Sequence, residues 1–269
     1  MPHTRQRVLV PVGDAQVDVI AEGQGPLLVL LPSSLRDSLD FDPLAERLAA
    51  GGCRVLRPQP RGMGRSSPPP DGMTLATLAG DVAGVVAVFD QGPAVVVGHA
   101  YGHWVARVTD HLHPDRVAGV VVLAAAARAF PPGVAEQLGV ASDTARPEAD
   151  RLAALQACMF APGNDASVWL SGWHPQWRAA YRQASAWPPQ DQWYGTTNAP
   201  LLDVQGEQDV WRPPHTRQAL TDLLGSKAQG VLVPQAGHAM VPEQPQAVAQ
   251  VVLAWMHAQG LYTHPTPLK

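Results

Sequence analysis

The segment VVVGHAYGHW, residues 95–104, combines an apolar run, a tight turn and the beginning of a helix-like pattern. A turn of this kind can present a catalytic nucleophile at the end of a strand, because Gly98 and Gly102 allow a sharp bend and close packing of the helix. The residue at the centre is Ala100, which cannot form an acyl-enzyme. The pattern therefore predicts a nucleophile turn without its nucleophile, although a plain strand-to-helix connection has the same spacing.

Two further residues have side chains that could act with this turn. Asp209, in GEQD, and His238, in QAGH, each follow a predicted buried strand. Taken singly, a loop aspartate and a helix-capping histidine explain them better. Taken with the turn, they predict a pair in which Asp209 accepts the Nδ1–H of His238 and leaves Nε2 free as a base. The backbone N–H of Tyr101, at the predicted helix start, is then the expected donor to an oxyanion.

The elements that position these residues alternate between strands and helices. Short apolar runs predict strands, the first two forming a hairpin around Gly13-Asp14, at 7–12, 17–23, 26–32, 53–58, 94–100, 117–127, 199–209 and 230–238. Helical spacing predicts helices at 40–52, 74–89, 102–114, 214–225 and 245–259. This alternation is typical of an α/β fold with a mostly parallel sheet and helices on both faces.

The rhythm breaks over residues 128–199, which are rich in proline and hold five tryptophans. We expect a helical cap there, with helices at 147–160 and 175–185. Trp169, Trp173 and Trp177 are four residues apart, so one helix could present them on one face, an arrangement that Pro175 weakens. We predict that these three rings, together with Trp211 and His99, bind a largely apolar substrate. The alternative is that the rings only pack the cap onto the sheet.

Composition excludes several classes of function. The net charge of −4, without a basic block, argues against nucleic acid and anionic membranes as partners. Two cysteines make no disulfide framework and fit a cytoplasmic location. No signal peptide, membrane span or metal-ligand spacing is recognisable. We predict a monomer or homodimer that acts on a small molecule.

Taken together, the motifs resemble the α/β-hydrolase superfamily over nearly the whole chain. The resemblance rests on LLVLLPSS (27–34), PQPRGMGRSS (58–67), VVVGHAYG (95–102), GEQDVWRPP (206–214) and QAGHAMVPEQP (235–245). It implies an eight-stranded, mostly parallel sheet flanked by helices, with a core of residues 1–127 and 200–269 and a cap of residues 128–199. It also implies that no cofactor is needed.

The resemblance assigns roles to particular residues. Ala100 holds the nucleophile position, Asp209 and His238 complete the catalytic group, and Ser34 joins Tyr101 in the oxyanion hole. The chain departs from the family pattern at Pro32-Ser33, where His-Gly is usual, and at Gln59, where aspartate is usual. The departure with the largest consequence is Ala100.

Three interpretations of Ala100 remain open at this point. The chain is an ester or lactone hydrolase whose serine has been replaced. Alternatively, alanine is native, and the His238–Asp209 base works without a covalent step, by direct water attack or in lyase or dioxygenase chemistry; the flanking His99 and His103 are compatible with this. In the third, the protein binds a ligand without catalysis.

Overall fold

The apolar runs of the sequence form the strands of one sheet. In the computed structural model, which describes residues 5–128 and 131–262, eight strands are present. They are β1 (Gln6–Val12), β2 (Ala15–Gly23), β3 (Leu27–Leu31), β4 (Arg54–Pro58), β5 (Ala94–His99), β6 (Val117–Leu123), β7 (Leu201–Gly206) and β8 (Ala228–Val233).

The strand order is β1-β2-β4-β3-β5-β6-β7-β8. β1 and β2 form the predicted antiparallel hairpin, and β2 is also antiparallel to β4. All remaining neighbours are parallel, so β3 to β8 end at the same edge. The predicted mostly parallel, eight-stranded sheet is confirmed.

Helices cover both faces of this sheet. The helices outside the segment between β6 and β7 are α1 (Asp42–Ala50), α2 (Leu75–Phe89), α3 (Tyr101–Leu112), α8 (Ala219–Leu224), α9 (Met240–Glu243) and α10 (Pro245–Ala258). Side chains alternate across each strand. Val96 therefore packs with α2 and α3 on one face, whereas Val95 and Val97 pack with α1 and α10 on the other.

The segment between β6 and β7 holds short helices. Its described residues contain α4 (Val134–Ala141), α5 (Glu148–Cys158), α6 (Arg178–Ala184) and α7 (Gln190–Trp193). The expected core and cap ranges also include residues 1–4, 129–130 and 263–269, which lie outside the described residues.

Some predicted element boundaries need correction. β6 ends at Leu123 and not at 127, because Ala124 has a φ of 51° that turns the chain out of the strand. The predicted helix 214–225 is α-helical only in α8, since Pro214 begins a separate 3₁₀ turn. Another 3₁₀ turn, Pro175–Trp177, precedes α6. No helix among the described residues is both long and apolar enough to span a membrane.

We predict that Gly102→Ala destabilises the fold by about 3 kcal/mol, because an added methyl group in a close-packed site forces the backbone apart. A Cβ at residue 102 would lie 2.3 Å from the carbonyl oxygen of Leu31 and 2.7 Å from that of Pro32. The matched control is Gly80→Ala in α2, where a Cβ meets nothing within 4 Å. That change should stabilise the helix by about 0.5–1 kcal/mol. Urea unfolding measures both, and equal stabilities for the two variants would contradict the packing described.

Candidate active site

Ala100 lies at the tight turn between β5 and α3. Its backbone has φ 47° and ψ −115°, and its N–H donates to the Leu123 carbonyl at 2.9 Å. A residue other than glycine in such a region carries strain of about 1–3 kcal/mol, which only the surrounding structure can maintain. Gly98 and Gly102 make the turn possible, since a Cβ on either would collide with backbone atoms. The turn therefore has the backbone shape that presents a side chain at the strand end, although the side chain is a methyl group.

Asp209 and His238 meet in the loops that follow β7 and β8. The Nδ1–H of His238 donates to Asp209 Oδ2 at 2.9 Å, and Oδ1 lies 3.2 Å away. The backbone N–H of Trp211 donates to the same carboxylate at 2.8 Å, so Asp209 is held by a second hydrogen bond. Both residues are buried. Because Nδ1 carries the proton, Nε2 of a neutral His238 has a lone pair available to accept one.

His99 supports the loop that carries His238. It is 1% exposed, and its Nε2–H donates to the His238 backbone carbonyl at 2.7 Å. Burial lowers the pKa of His99 to about 3, with a further contribution from nearby His238, so the ring stays neutral. This contact gives no support to the role predicted for His99 in substrate binding, which stays a prediction. As the last residue of a strand buried on both faces, it points into the protein and contacts the loop.

Glu243, at the end of α9, ties the His238 loop to the segment between β6 and β7. Its carboxylate accepts the N–H of Gly237 at 2.8 Å, the N–H of Ala161 at 2.6 Å and the side-chain amide of Asn164 at 2.7 Å. Burial raises the pKa of this carboxyl, against the opposing effect of these hydrogen bonds. No local pattern in the sequence identifies Glu243, because two of its three partners, Ala161 and Asn164, come from a distant segment.

A cavity of about 400 Å³ lies at the carboxyl edge of the sheet, between the turn and the segment that joins β6 to β7. Ala100 and His238 line the same cavity, as do Ser34 and Tyr101. Tyr101 is the first residue of α3, so its N–H has no acceptor within the helix. The candidate base and both candidate oxyanion residues thus share one space.

The predicted tryptophans separate into two groups. Trp173 and Trp211 line the cavity, with the Trp211 ring 5.2 Å from the His238 ring. Trp169 and Trp177 are not part of its wall, and their role in substrate binding stays a prediction. Trp169, Trp173 and Trp177 do not share one helix face, because the chain forms two 3₁₀ turns here, Ala166–Trp169 and Pro175–Trp177, with Gly172 at φ 79° between them.

Trp169 and Trp177 instead hold neighbouring segments together. The Arg36 guanidinium lies over the rings of Trp169 and Trp173, at 4.6 and 4.7 Å from their centres, and forms an ion pair with Asp40. These contacts fix the loop of Ser34 against the segment between β6 and β7. Trp177 donates its ring N–H to the Gly62 carbonyl at 2.9 Å.

Several cavity residues were missed by sequence reasoning. Among them are Trp104, Leu138, Met159, Arg178 and Arg182, whereas His103 was noted beside the turn without a predicted contact to substrate. His103 follows the turn by three residues, and its Nδ1–H donates to the Ala100 carbonyl, which leaves Nε2 for a ligand. Burial lowers the pKa of His103 to about 3, so it is also neutral. Its position beside the turn was the one signal available for His103. Arg178 and Arg182 lie within the predicted helix 175–185, but nothing in that pattern indicated that they line a cavity.

The residues that the structure describes contain no cluster of three or more His, Cys, Asp or Glu able to hold a metal ion. The expectation that no cofactor is needed stays a prediction.

Comparison with known proteins identifies the family. A profile described as the alpha/beta hydrolase family matches residues 28–251, which is most of the chain. The chain belongs to the alpha/beta hydrolase family. The resemblance seen in its motifs is thereby confirmed, and as a member of this family the protein is classed with hydrolases.

Relatives of this alpha/beta hydrolase include enzymes that are named for different activities. Epoxide hydrolase B of Mycobacterium tuberculosis is 39% identical over 109 residues, covering 40% of this chain and 31% of that enzyme. The 2-(acetamidomethylene)succinate hydrolase of Mesorhizobium japonicum is 31% identical over 114 residues, covering 42% of this chain and 41% of that enzyme. These matches span less than half of either relative.

The fold extends over whole solved structures. A thermophilic esterase from Thermogutta terrifontis has a TM-score of 0.77 at 23% identity, covering 96% of this chain and 100% of that one. This degree of identity supports the shared fold and not a shared substrate.

We predict that Glu243→Ala lowers the free energy of unfolding by about 2–4 kcal/mol, because it leaves the amides of Gly237 and Ala161 without their acceptor. Both amides should also exchange their hydrogens faster. The matched control is Glu207→Ala, at an exposed position, where we expect a change within about 0.5 kcal/mol. Thermal unfolding and residue-resolved hydrogen exchange test this. Unchanged exchange at Gly237 and Ala161 would show that Glu243 does not hold the loop.

Proposed function

We propose that this alpha/beta hydrolase cleaves a small ester or lactone, and that His238, oriented by Asp209, acts as a general base on water. The observation that carries the proposal is the 2.9 Å hydrogen bond from His238 Nδ1 to Asp209, next to a cavity that Ala100 also lines. A histidine held in this tautomer can accept a proton at Nε2. Alanine supplies no nucleophile, so the reaction has no acyl-enzyme step.

The proposed reaction uses three groups of this chain. Nε2 of His238 takes a proton from water as the water oxygen attacks the carbonyl carbon. The tetrahedral oxyanion accepts hydrogen bonds from the backbone N–H groups of Ser34 and Tyr101. The imidazolium, stabilised by Asp209, then gives its proton to the departing alkoxide as the carbon–oxygen bond breaks. The products are a carboxylic acid and an alcohol, or a hydroxy acid from a lactone.

The cavity wall supports a substrate that is mostly apolar. Leu35, Leu138 and Met159 line it together with Trp173 and Trp211, and apolar walls with a few polar groups are usual for small-molecule sites. The relatives named as epoxide hydrolase and esterase also support hydrolysis as the reaction type. A cytoplasmic location and a monomeric or homodimeric state stay predictions.

A second candidate is covalent hydrolysis by a form of this protein with serine at position 100. The observation that favours it is the strained backbone of Ala100, at φ 47°, which has the shape that presents a nucleophile. The two candidates share the cavity and the His238–Asp209 pair. They differ only in the atom that attacks the carbonyl carbon.

The base is tested by His238→Gln and Asp209→Asn on a panel of aryl esters and lactones. We expect kcat/KM to fall by about 10²–10⁴-fold in His238→Gln, which is the usual contribution of a positioned base. Asp209→Asn should lower it less. The control is His215→Gln, an exposed histidine outside the cavity, with melting temperatures measured for all variants.

The pH profile adds a second measurement. Acidification should lower kcat/KM, because an imidazolium cannot accept the proton of water. His99 and His103 stay neutral above their pKa values of about 3, so they do not produce a loss of rate near neutral pH. Full activity of His238→Gln on a substrate that the parent chain hydrolyses would contradict the proposed base. Activity of the parent on lyase or dioxygenase substrates alone would keep the base and reject hydrolysis.

The attacking atom is tested by Ala100→Ser. The parent chain should hydrolyse its substrate without a burst, and a fluorophosphonate should not attach to residue 100. The serine variant should become labelled at residue 100 and show burst kinetics, because its Oγ would lie beside His238. Intact-protein mass spectrometry measures the label. A parent chain inactive on every acyl substrate, beside an active serine variant, would favour the second candidate, and two inactive and unlabelled forms would leave ligand binding as the function.

A further inference from the structure

Two arginines lie at the mouth of the cavity. Arg178 and Arg182 are one turn apart on α6, and both line the cavity wall. Both also border the outer surface beside Gln176 and Gln183. Residues four apart share one face of a helix, so the two guanidiniums lie close together where the cavity opens to solvent.

The charge of these arginines is not compensated by a carboxylate in the part of the chain that the structure describes. Among the described residues, neither guanidinium forms an ion pair. The cavity wall, over the same residues, contains no aspartate or glutamate. Elsewhere in the chain, buried arginines such as Arg36 and Arg61 are paired with carboxylates. The mouth is therefore locally positive in a chain whose net charge is −4.

Arg178 is also held in position. Its Nη2–H donates to Ser142 Oγ at 2.6 Å, and that hydroxyl donates in turn to the Leu138 carbonyl at 2.6 Å. The Ser142 side chain contributes to the same cavity wall. This link uses one donor of the guanidinium and leaves the others for a ligand. A side chain fixed in this way loses less conformational freedom when it binds an anion.

We propose that the substrate carries a carboxylate, which Arg178 and Arg182 bind at the mouth while its ester or lactone carbonyl lies at His238. Guanidiniums bind carboxylates through paired, charge-assisted hydrogen bonds. The apolar part of the cavity wall, which includes Leu138 and Met159, suits a short hydrocarbon chain. The substrate class is then a half-ester of a dicarboxylic acid, or a lactone with a carboxylate side chain. This inference rests on the proposed hydrolysis for the ester end and on the arginines alone for the anionic end.

The test compares 4-nitrophenyl hydrogen adipate, which is an anion, with 4-nitrophenyl hexanoate, which is neutral and of similar length. The parent chain should prefer the anionic ester. The ratio of the two kcat/KM values should fall about tenfold in Arg178→Gln and in Arg182→Gln, and further in the double variant. Added salt should lower the ratio in the parent more than in the double variant, because both guanidiniums reach solvent.

The control is Arg146→Gln, an exposed arginine of the same segment that pairs with Asp143 and is not part of the cavity wall. It should leave the ratio unchanged. A ratio that is equal in the parent and in the double variant would overturn the proposal. So would a loss of equal size in Arg146→Gln, because the effect would then reflect overall charge.

A binding measurement separates this inference from the proposed function. Adipic acid monoamide should quench tryptophan fluorescence, since Trp173 and Trp211 line the cavity, and its affinity should fall about tenfold in each arginine variant. Binding that depends on the arginines, without hydrolysis of any ester, would reject the proposed function and keep the carboxylate site. Hydrolysis of neutral esters, with adipic acid monoamide binding equally to the parent and the double variant, would keep the proposed function and reject the carboxylate site. Equal competition by inorganic phosphate would overturn carboxylate as the preferred anion.

Discussion

The hydrogen bond from His238 Nδ1 to Asp209 is the interaction on which the chemistry of this cavity depends. It determines which ring nitrogen carries the proton, and therefore which nitrogen can accept one. The hydrogen bond forms because β7 and β8 are parallel and end at the same edge of the sheet, so the loops that follow them meet there. His99 and Glu243 then hold the loop after β8 through hydrogen bonds to the His238 carbonyl and the Gly237 N–H. A base in this position is consequently a property of the whole sheet edge and not of two residues alone.

The turn at Ala100 separates the backbone contribution of an active site from its side-chain contribution. The turn keeps its backbone features although it has no nucleophile. Ala100 has a positive φ and donates a hydrogen bond to the Leu123 carbonyl, and Gly98 and Gly102 pack closely against neighbouring backbone. Tyr101 is still the first residue of a helix beside the cavity, so its backbone N–H has no acceptor within that helix. Such a site retains the groups that stabilise an oxyanion, so loss of the nucleophile does not by itself remove every route to catalysis.

Sequence patterns were sufficient for the sheet and for the residues at its edge. Buried parallel strands are short apolar runs, and the edge residues follow directly from where those runs end. The patterns failed where contacts are long-range or the backbone is irregular. Regular spacing suggested one helix face for Trp169 and Trp173, but the positive φ of Gly172 prevents a continuous helix between them. A periodicity argument does not detect such a local change in backbone conformation. The roles of His99 and Glu243 depend on segments more than 70 residues away, which no local pattern reveals.

The most direct test of the central claim is the protonation of the His238 ring, measured by NMR on ¹⁵N-histidine-labelled protein and assigned by comparison with His238→Gln. For the neutral ring the account predicts the proton on Nδ1 and none on Nε2, and a loss of that preference in Asp209→Asn. A neutral His238 with its proton on Nε2 would contradict it, because the nitrogen toward the cavity could then not accept a proton from water.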